Sequence, residues 1–294
     1  MEEKNSDGGD NIFSITPMNM KLRLKAGEKY EGVIKVFTPA DMEGVFNYKV
    51  EIAPYNVVGT DYEADLSTQS NRSKIVDWVT VAEPRGTLGP NETKEIHYTV
   101  SVPEDAPGGG QYAVILIGSE EQDSSSAGGG NGMNIKNIYQ MGSIIYAQVE
   151  GETIRAGSID KNEIAGFVAE MPIKTLVELT NNGNIHETAK IGVKVNNVLS
   201  GAKMYPSEGE EGVWEEVIMP ETSRVLVKEI KDLPPLGIYE VTQNVDYLGG
   251  QSNVTQVVVA CPVWFMAMLL AVITLVITGI VFAVKHHRKK KVLV

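Results

Sequence analysis

The chain has one cysteine, Cys261, among 294 residues. That excludes an intrachain disulfide, a multi-cysteine zinc site and a paired-thiol redox motif. Secreted eukaryotic domains commonly carry disulfides, so their lack leans towards a prokaryotic source. Histidine is almost as scarce: His97, His186, His286 and His287. None has a companion at metal-ligand spacing, so no metal and no cofactor is expected. There is no nucleophile elbow and no phosphate loop. The GGG runs at 108–110 and 128–130 lack a following helix and the Lys-Ser/Thr pair, and read as turns. No positioned acid, base or nucleophile emerges, so the expectation is a protein that is not an enzyme. Basic residues are outnumbered, 26 against 38 acidic, for a net charge of −12. Such a surface repels polyanions and argues against nucleic acid as a partner.

One stretch lacks charge altogether. Val263 to Val284, VWFMAMLLAVITLVITGIVFAV, is apolar throughout apart from two threonines and a glycine. Its twenty-two residues give a helix of about 33 Å, enough for a hydrocarbon core of about 30 Å. Trp264 stands near one end, where an indole suits the headgroup region. Lys285, Arg288, Lys289, Lys290 and Lys291 follow at the other end. The segment 263–284 is expected to span a membrane once, with 285–294 as a basic cytoplasmic tail and everything before it outside the cell. Removing the five charges of the tail from the net −12 leaves −17 for the rest. Residues 1–11 read as a disordered leader without a basic or apolar signal region, so the export signal is expected upstream of the given sequence. Cys261 ends a VVAC tetrapeptide resembling a lipoprotein box, but at the wrong end of the chain, and reads as an interfacial residue.

Before the apolar segment, short β-type runs alternate with Gly, Pro, Asn and Asp. Phe46, Tyr48, Val50 and Ile52 alternate with polar Asn47, Lys49 and Glu51. Strands are expected at 21–24, 30–37, 46–52, 75–81, 94–102, 112–118 and 144–149. A second series is expected at 174–179, 189–195, 224–230, 238–245 and 252–259. Residues 205–217, which contain Trp214, read as an acidic, less regular stretch, and Glu120–Gly132 as a low-complexity loop. The series repeat weakly. VPEDAPGGGQYAVILIG and LPPLGIYEVTQNVDYLG each set Pro and Gly before a tyrosine, Tyr112 and Tyr239, which are expected at equivalent positions. The fold class is therefore all-β: two tandem Ig-like β-sandwich domains, 12–152 and 153–259, followed by one C-terminal transmembrane α-helix. The carboxylates of DYEAD, Asp61 to Asp65, lack the glycine and distal glutamate of a calcium loop and read as solvated acids. Three N-x-S/T patterns, at Asn71, Asn91 and Asn253, are chance matches in a bacterial chain.

The segments ITPMNMKLRLKAGEKYEGVIKV, SKIVDWV, GTLGPNETKEIHYTVSVPEDAPGGGQYAVIL and NNGNIHE, with the apolar helix and basic tail, resemble the WxL-interacting proteins of bacterial surfaces. The resemblance implies a signal peptide, two tandem Ig-like domains, a membrane helix and a basic tail. It also implies that the first domain contacts peptidoglycan and the second binds WxL-domain proteins or host ligands. The chain departs from the pattern by its N-terminus and by the acidic insert around Glu208 to Glu216, and no binding residue carries over. The function expected is a membrane-anchored, non-catalytic surface binding or scaffold protein engaging cell-wall polymer or surface proteins. The alternative is a non-catalytic subunit of a membrane or secretion complex, in which the helix makes the contacts.

Overall fold

The computed structural model describes residues 12–120, 139–207, 209 and 211–291, with side chains through residue 283. The leader 1–11, residues 121–132 of the low-complexity loop, Glu208, and the side chains of Lys285, Arg288, Lys289, Lys290 and Lys291 lie outside that description. The chain is mostly β-sheet with one C-terminal apolar helix and falls into two compact units. The first runs to Ala156 and also takes in the loops Asn182–His186 and Met219–Thr222. The second comprises Gly157–Asn181, Glu187–Ile218 and Ser223 onward.

The first unit contains β1 (Ser14–Thr16), β2 (Asn19–Leu24), β3 (Lys29–Phe37), β4 (Phe46–Pro54), β5 (Asn56–Val58), β6 (Glu63–Asp65), β7 (Val79–Val81), β8 (Arg85–Leu88), β9 (Thr93–Ser101), β10 (Gly109–Ser119) and β11 (Gln140–Val149). Two sheets, β1-β3-β9-β7 and β2-β11-β10-β4-β8, face one another. Period-two alternation supplies the core between them. Met20, Leu22 and Leu24 of β2 turn inward, as do Ile96, Tyr98 and Val100 of β9 and Ala113, Ile115 and Ile117 of β10. Each fully buried aliphatic side chain contributes about 1.5–3 kcal/mol.

The second unit holds β12 (Gly157–Ile164), β13 (Phe167–Val168), β14 (Ile173–Asn181), β15 (Glu187–Asn197), β16 (Lys203–Tyr205), β17 (Val213–Ile218), β18 (Thr222–Ile230), β19 (Gly237–Tyr247) and β20 (Gly250–Ala260). Sheet β12-β14-β18 faces sheet β13-β20-β19-β15-β16, with β17 also paired to β15. The larger sheets of the two units share a plan. Each has a C-terminal hairpin, β10–β11 or β19–β20, an antiparallel strand on one side, β4 or β15, and a short parallel strand on the other, β2 or β13.

Within that plan, Tyr112 and Tyr239 lie on corresponding strands but on opposite faces. Tyr239 points into the core with Val241. Tyr112 points away from the core formed by Ala113 and Ile115, and is buried against Tyr146 and His186, while Tyr55 also meets Tyr146 edge-on. The cause is one residue of spacing: Tyr239 is the third residue of its strand, Tyr112 the fourth. An offset of one exchanges the faces of a strand.

Two other expectations are corrected. Ile75 to Trp78 is a 3-10 helix (Lys74–Trp78), and only Val79–Val81 is strand. Ile75 and Trp78 are both buried while Asp77 is not. A three-residue period puts 75 and 78 on one side, whereas a strand would turn Asp77 inward with Ile75. The acidic stretch contains strands β16 and β17. Trp214 sits opposite Ile191 and packs on both core clusters of the second unit, and Glu216 pairs with Arg224 at 2.9 Å.

Candidate functional site

Pro262 precedes the C-terminal helix α1 (Val263–Lys291), and its carbonyl accepts from Phe265 N–H at 3.0 Å and Met266 N–H at 3.1 Å. Proline at the threshold of a helix gives up no hydrogen bond. Val263–Ala283 has a mean hydropathy of 2.7 and none of it is buried. In water such a helix would leave its whole apolar surface solvated, and it is long and apolar enough to cross a membrane. Its threonine hydroxyls are satisfied within the helix. Thr274 Oγ1 donates to Leu270 O at 2.8 Å, and Thr278 Oγ1 to Thr274 O at 2.9 Å. Neither hydroxyl therefore needs a partner from an apolar surrounding. Trp264, in the first turn, is 64% exposed and packs edge-on against Phe265. The helix does not stop at the basic run. It continues through Lys285, Arg288, Lys289 and Lys290 to Lys291, so these residues extend the helix instead of forming an irregular tail. Twenty-nine residues give about 43 Å, the thickness of a bilayer with its headgroups.

A second candidate lies in the first unit. Gln69, Ser70, Asn71, Lys74, Asp77 and Trp78 line an open polar depression of about 610 Å³. Its wall is held by local hydrogen bonds. Ser70 Oγ donates to Asn56 Oδ1 at 2.8 Å, Ser70 N–H to Ser73 Oγ at 2.8 Å, and Asn56 Nδ2 to Thr68 O at 2.6 Å. Strand β10 clamps the same loop from beneath: Tyr112 N–H donates to Arg72 O at 2.7 Å and Gln111 Nε2 to Asn71 O at 3.0 Å. Arg72 in turn meets Glu221 at 2.7 Å. Trp78 is buried, so its indole closes the floor and offers no stacking platform. The depression presents amides, one ammonium and one carboxylate, a set that recognises hydroxyl- and amide-bearing ligands by hydrogen bonds. The sequence pointed to none of this wall: TQSNRSK reads as an ordinary loop.

Of the other residues singled out in the sequence, His186 and Asp65 are held by packing and local hydrogen bonds. His97 is exposed on β9. His186 packs its ring against Tyr146 and Tyr112, and its backbone N–H donates to Tyr112 Oη at 2.8 Å. The Asp65 carboxylate accepts from Ser67 N–H, Ser67 Oγ and Thr68 N–H at 2.8–3.1 Å. Hydrogen bonds from Thr68 and Ser67 hold its pKa far below the usual range. Among the described residues no group of three His, Cys, Asp or Glu is placed to hold a metal ion.

No family model matches the chain, and no curated protein matches it. Solved structures similar to it include a chaperone–tip adhesin complex of CFA/I fimbriae. That chain is 15% identical, with a TM-score of 0.40, over 85% of this chain and 99% of the other. The class 5 fimbrial chaperone CfaA is 14% identical, with a TM-score of 0.39, over 84% and 99%. A CsuC–CsuE chaperone–adhesin subunit complex from Acinetobacter baumannii is 12% identical, with a TM-score of 0.37, over 83% and 97%. At these TM-scores the likeness assigns the chain neither a family nor a function. What the described residues establish is a mostly β-sheet protein with one C-terminal helix long and apolar enough to cross a membrane.

Proposed function

We propose that the protein is a membrane-anchored, non-catalytic surface binding or scaffold protein, with two tandem Ig-like domains outside the cell and the end of α1 in the cytoplasm. The observation that carries this reading is α1: 21 residues, Val263–Ala283, of mean hydropathy 2.7, none buried, leading directly into a basic run. Lys285, Arg288, Lys289, Lys290 and Lys291 resist translocation and set the orientation, and they attract anionic lipid by roughly 1 kcal/mol each. The polar depression at Gln69–Trp78 is the place we assign to recognition, and its amides and charges suit the sugars and peptide of a wall polymer. The resemblance to WxL-interacting proteins points to the same partners, peptidoglycan and surface proteins.

The test is cosedimentation of the full chain, in detergent, with purified peptidoglycan. Binding that falls at least about tenfold in the Gln69→Ala/Asn71→Ala/Lys74→Ala variant, as loss of several hydrogen bonds requires, supports the reading. Binding unchanged by that variant moves recognition away from the depression. No binding to peptidoglycan or to any protein of the solubilised envelope contradicts the scaffold role.

A further inference from the structure

The outward face of the larger sheet in the second unit changes character along its strands. Along β20 the outward residues run Gln251, Asn253, Thr255, Val257, Val259 towards α1. Along β19, in the opposite chain direction, they run Asp246, Asn244, Thr242, Glu240, Ile238. Register makes these the same rows: Asp246 opposite Gln251, Asn244 opposite Asn253, Thr242 opposite Thr255, Glu240 opposite Val257, Ile238 opposite Val259. The last row extends sideways on both flanks. Phe167 of β13 pairs with Val259, and Val198, just past β15, donates its N–H to Ile238 O at 2.9 Å. Phe167 is 51% exposed, Val259 40%, and Leu199, next to Val198, 80%. A face turned to water throughout would be polar along its whole length. This one is polar for the far three rows and apolar in the row that ends at the helix.

We infer that this apolar row seats in the headgroup–acyl boundary of the bilayer that α1 enters, so that the end of the second unit rests in the membrane surface and is not held clear of it. The inference rests on the reading that α1 spans a membrane. Chain length fixes the place: Val259 lies four residues before Val263, the first residue of α1, and four residues reach at most about 14 Å. Cys261 is itself tied to the sheet, its N–H donating to Val168 O at 3.0 Å, so the end of the row at Val259 and Phe167 stays beside the start of α1. Polarity fixes the occupant, because exposed apolar side chains anchored beside a bilayer find their apolar medium there. Glu240, the first charge on this face, stands one row back from Ile238, about 7 Å farther along the strand. That leaves it at the level of the headgroups while Phe167, Val198, Leu199 and Val259 dip beneath.

The experiment uses the full chain in phosphatidylcholine vesicles, with Cys261→Ser and a single bimane-labelled cysteine at Phe167, Leu199, Val259, Asn244 or Leu270. Lipids carrying a nitroxide on the acyl chain are the quencher. Quenching at Phe167, Leu199 and Val259 at least about twofold above that at Asn244 is expected for side chains immersed in the boundary. Quenching at Leu270 with Phe167, Leu199 and Val259 no different from Asn244 overturns this inference and leaves the anchor intact. Blue-shifted emission at those three positions without lipid quenching shows them covered by protein, and overturns it equally. Absence of quenching at Leu270 overturns the anchor, and this inference with it.

Discussion

Gly32 and Tyr98 face one another across β3 and β9, and the tyrosine ring lies over the glycine. A methyl group added at Gly32 would sit 2.2 Å from both Cζ and Oη of Tyr98. The ring has nowhere to retreat: Tyr98 is 2% exposed, and its hydroxyl donates to Met20 Sδ at 2.8 Å. Gly32→Ala therefore overpacks the core, at about 1–3 kcal/mol, offset by about 0.5–1 kcal/mol because alanine suits a strand better than glycine. A net loss of about 1–2 kcal/mol is expected, which at a urea m-value of about 2 kcal/mol/M lowers the midpoint by roughly 0.5–1 M. The assay is urea unfolding of the full chain in detergent, followed by Trp78 emission with Trp214→Phe and Trp264→Phe in the background. This isolates the first unit, since two units need not unfold together. Tyr98→Leu removes the ring and should make Gly32→Ala harmless, so the two changes should be non-additive by at least about 1 kcal/mol. Additivity within about 0.5 kcal/mol would refute the packing described.

Tyr239→Phe deletes the hydrogen bond from Tyr239 Oη to Pro234 O, 2.6 Å long and partly buried; a loss of about 1–3 kcal/mol is expected in the unfolding of the second unit, read from Trp214. Asp65, with its pKa depressed by hydrogen bonds from Thr68 and Ser67, stabilises its turn above the ordinary aspartate value of about 3.9 and loses that contribution as pH falls through its lowered folded value. The stability gap between the native chain and Asp65→Ala should therefore be constant from about pH 5 to 7 and shrink only below about pH 4. Leu275→Arg, at a residue 71% exposed in the middle of α1, should cost about 2.5–3.5 kcal/mol in membrane insertion and move chain from the membrane to the soluble fraction. Leu275→Val should leave the partition unchanged.

Much of the fold was legible because it follows simple periods. Phe46 to Ile52 and Lys94 to Val102 alternate cleanly and mark strands, and Val263 to Ala283 is too long and apolar for any other element. What escaped were places where tertiary packing set the local answer. Ile75-Val-Asp-Trp is apolar enough for a strand, yet burying both Ile75 and Trp78 while freeing Asp77 required a 3-10 turn. Glu215 and Glu216 disguised β17. Glu216 shares the side of that strand that Trp214 and Ile218 turn towards the core, and the Arg224 guanidinium on β18 offsets its charge at 2.9 Å. That partner sits on a neighbouring element, where no local pattern reveals it. The turn motif before Tyr112 and Tyr239 was legible, but not the one-residue offset that sends their rings to opposite faces. The polar depression was not legible, because Gln69 to Asn71 of its wall come from a loop whose composition is that of any surface loop, and the hydrogen bonds that shape it come from Asn56, Ser73 and strand β10.

The central claim is that α1 holds the chain in a membrane with the basic end inside. The direct measurement is protease accessibility in intact cells, with the chain exported behind a cleavable signal and an epitope tag after Val294. The account predicts that the β-sheet units are digested from outside while the tag, with the run Lys285–Lys291, survives until the membrane is permeabilised. A tag destroyed in intact cells, or a full-length chain released into the medium, would contradict it.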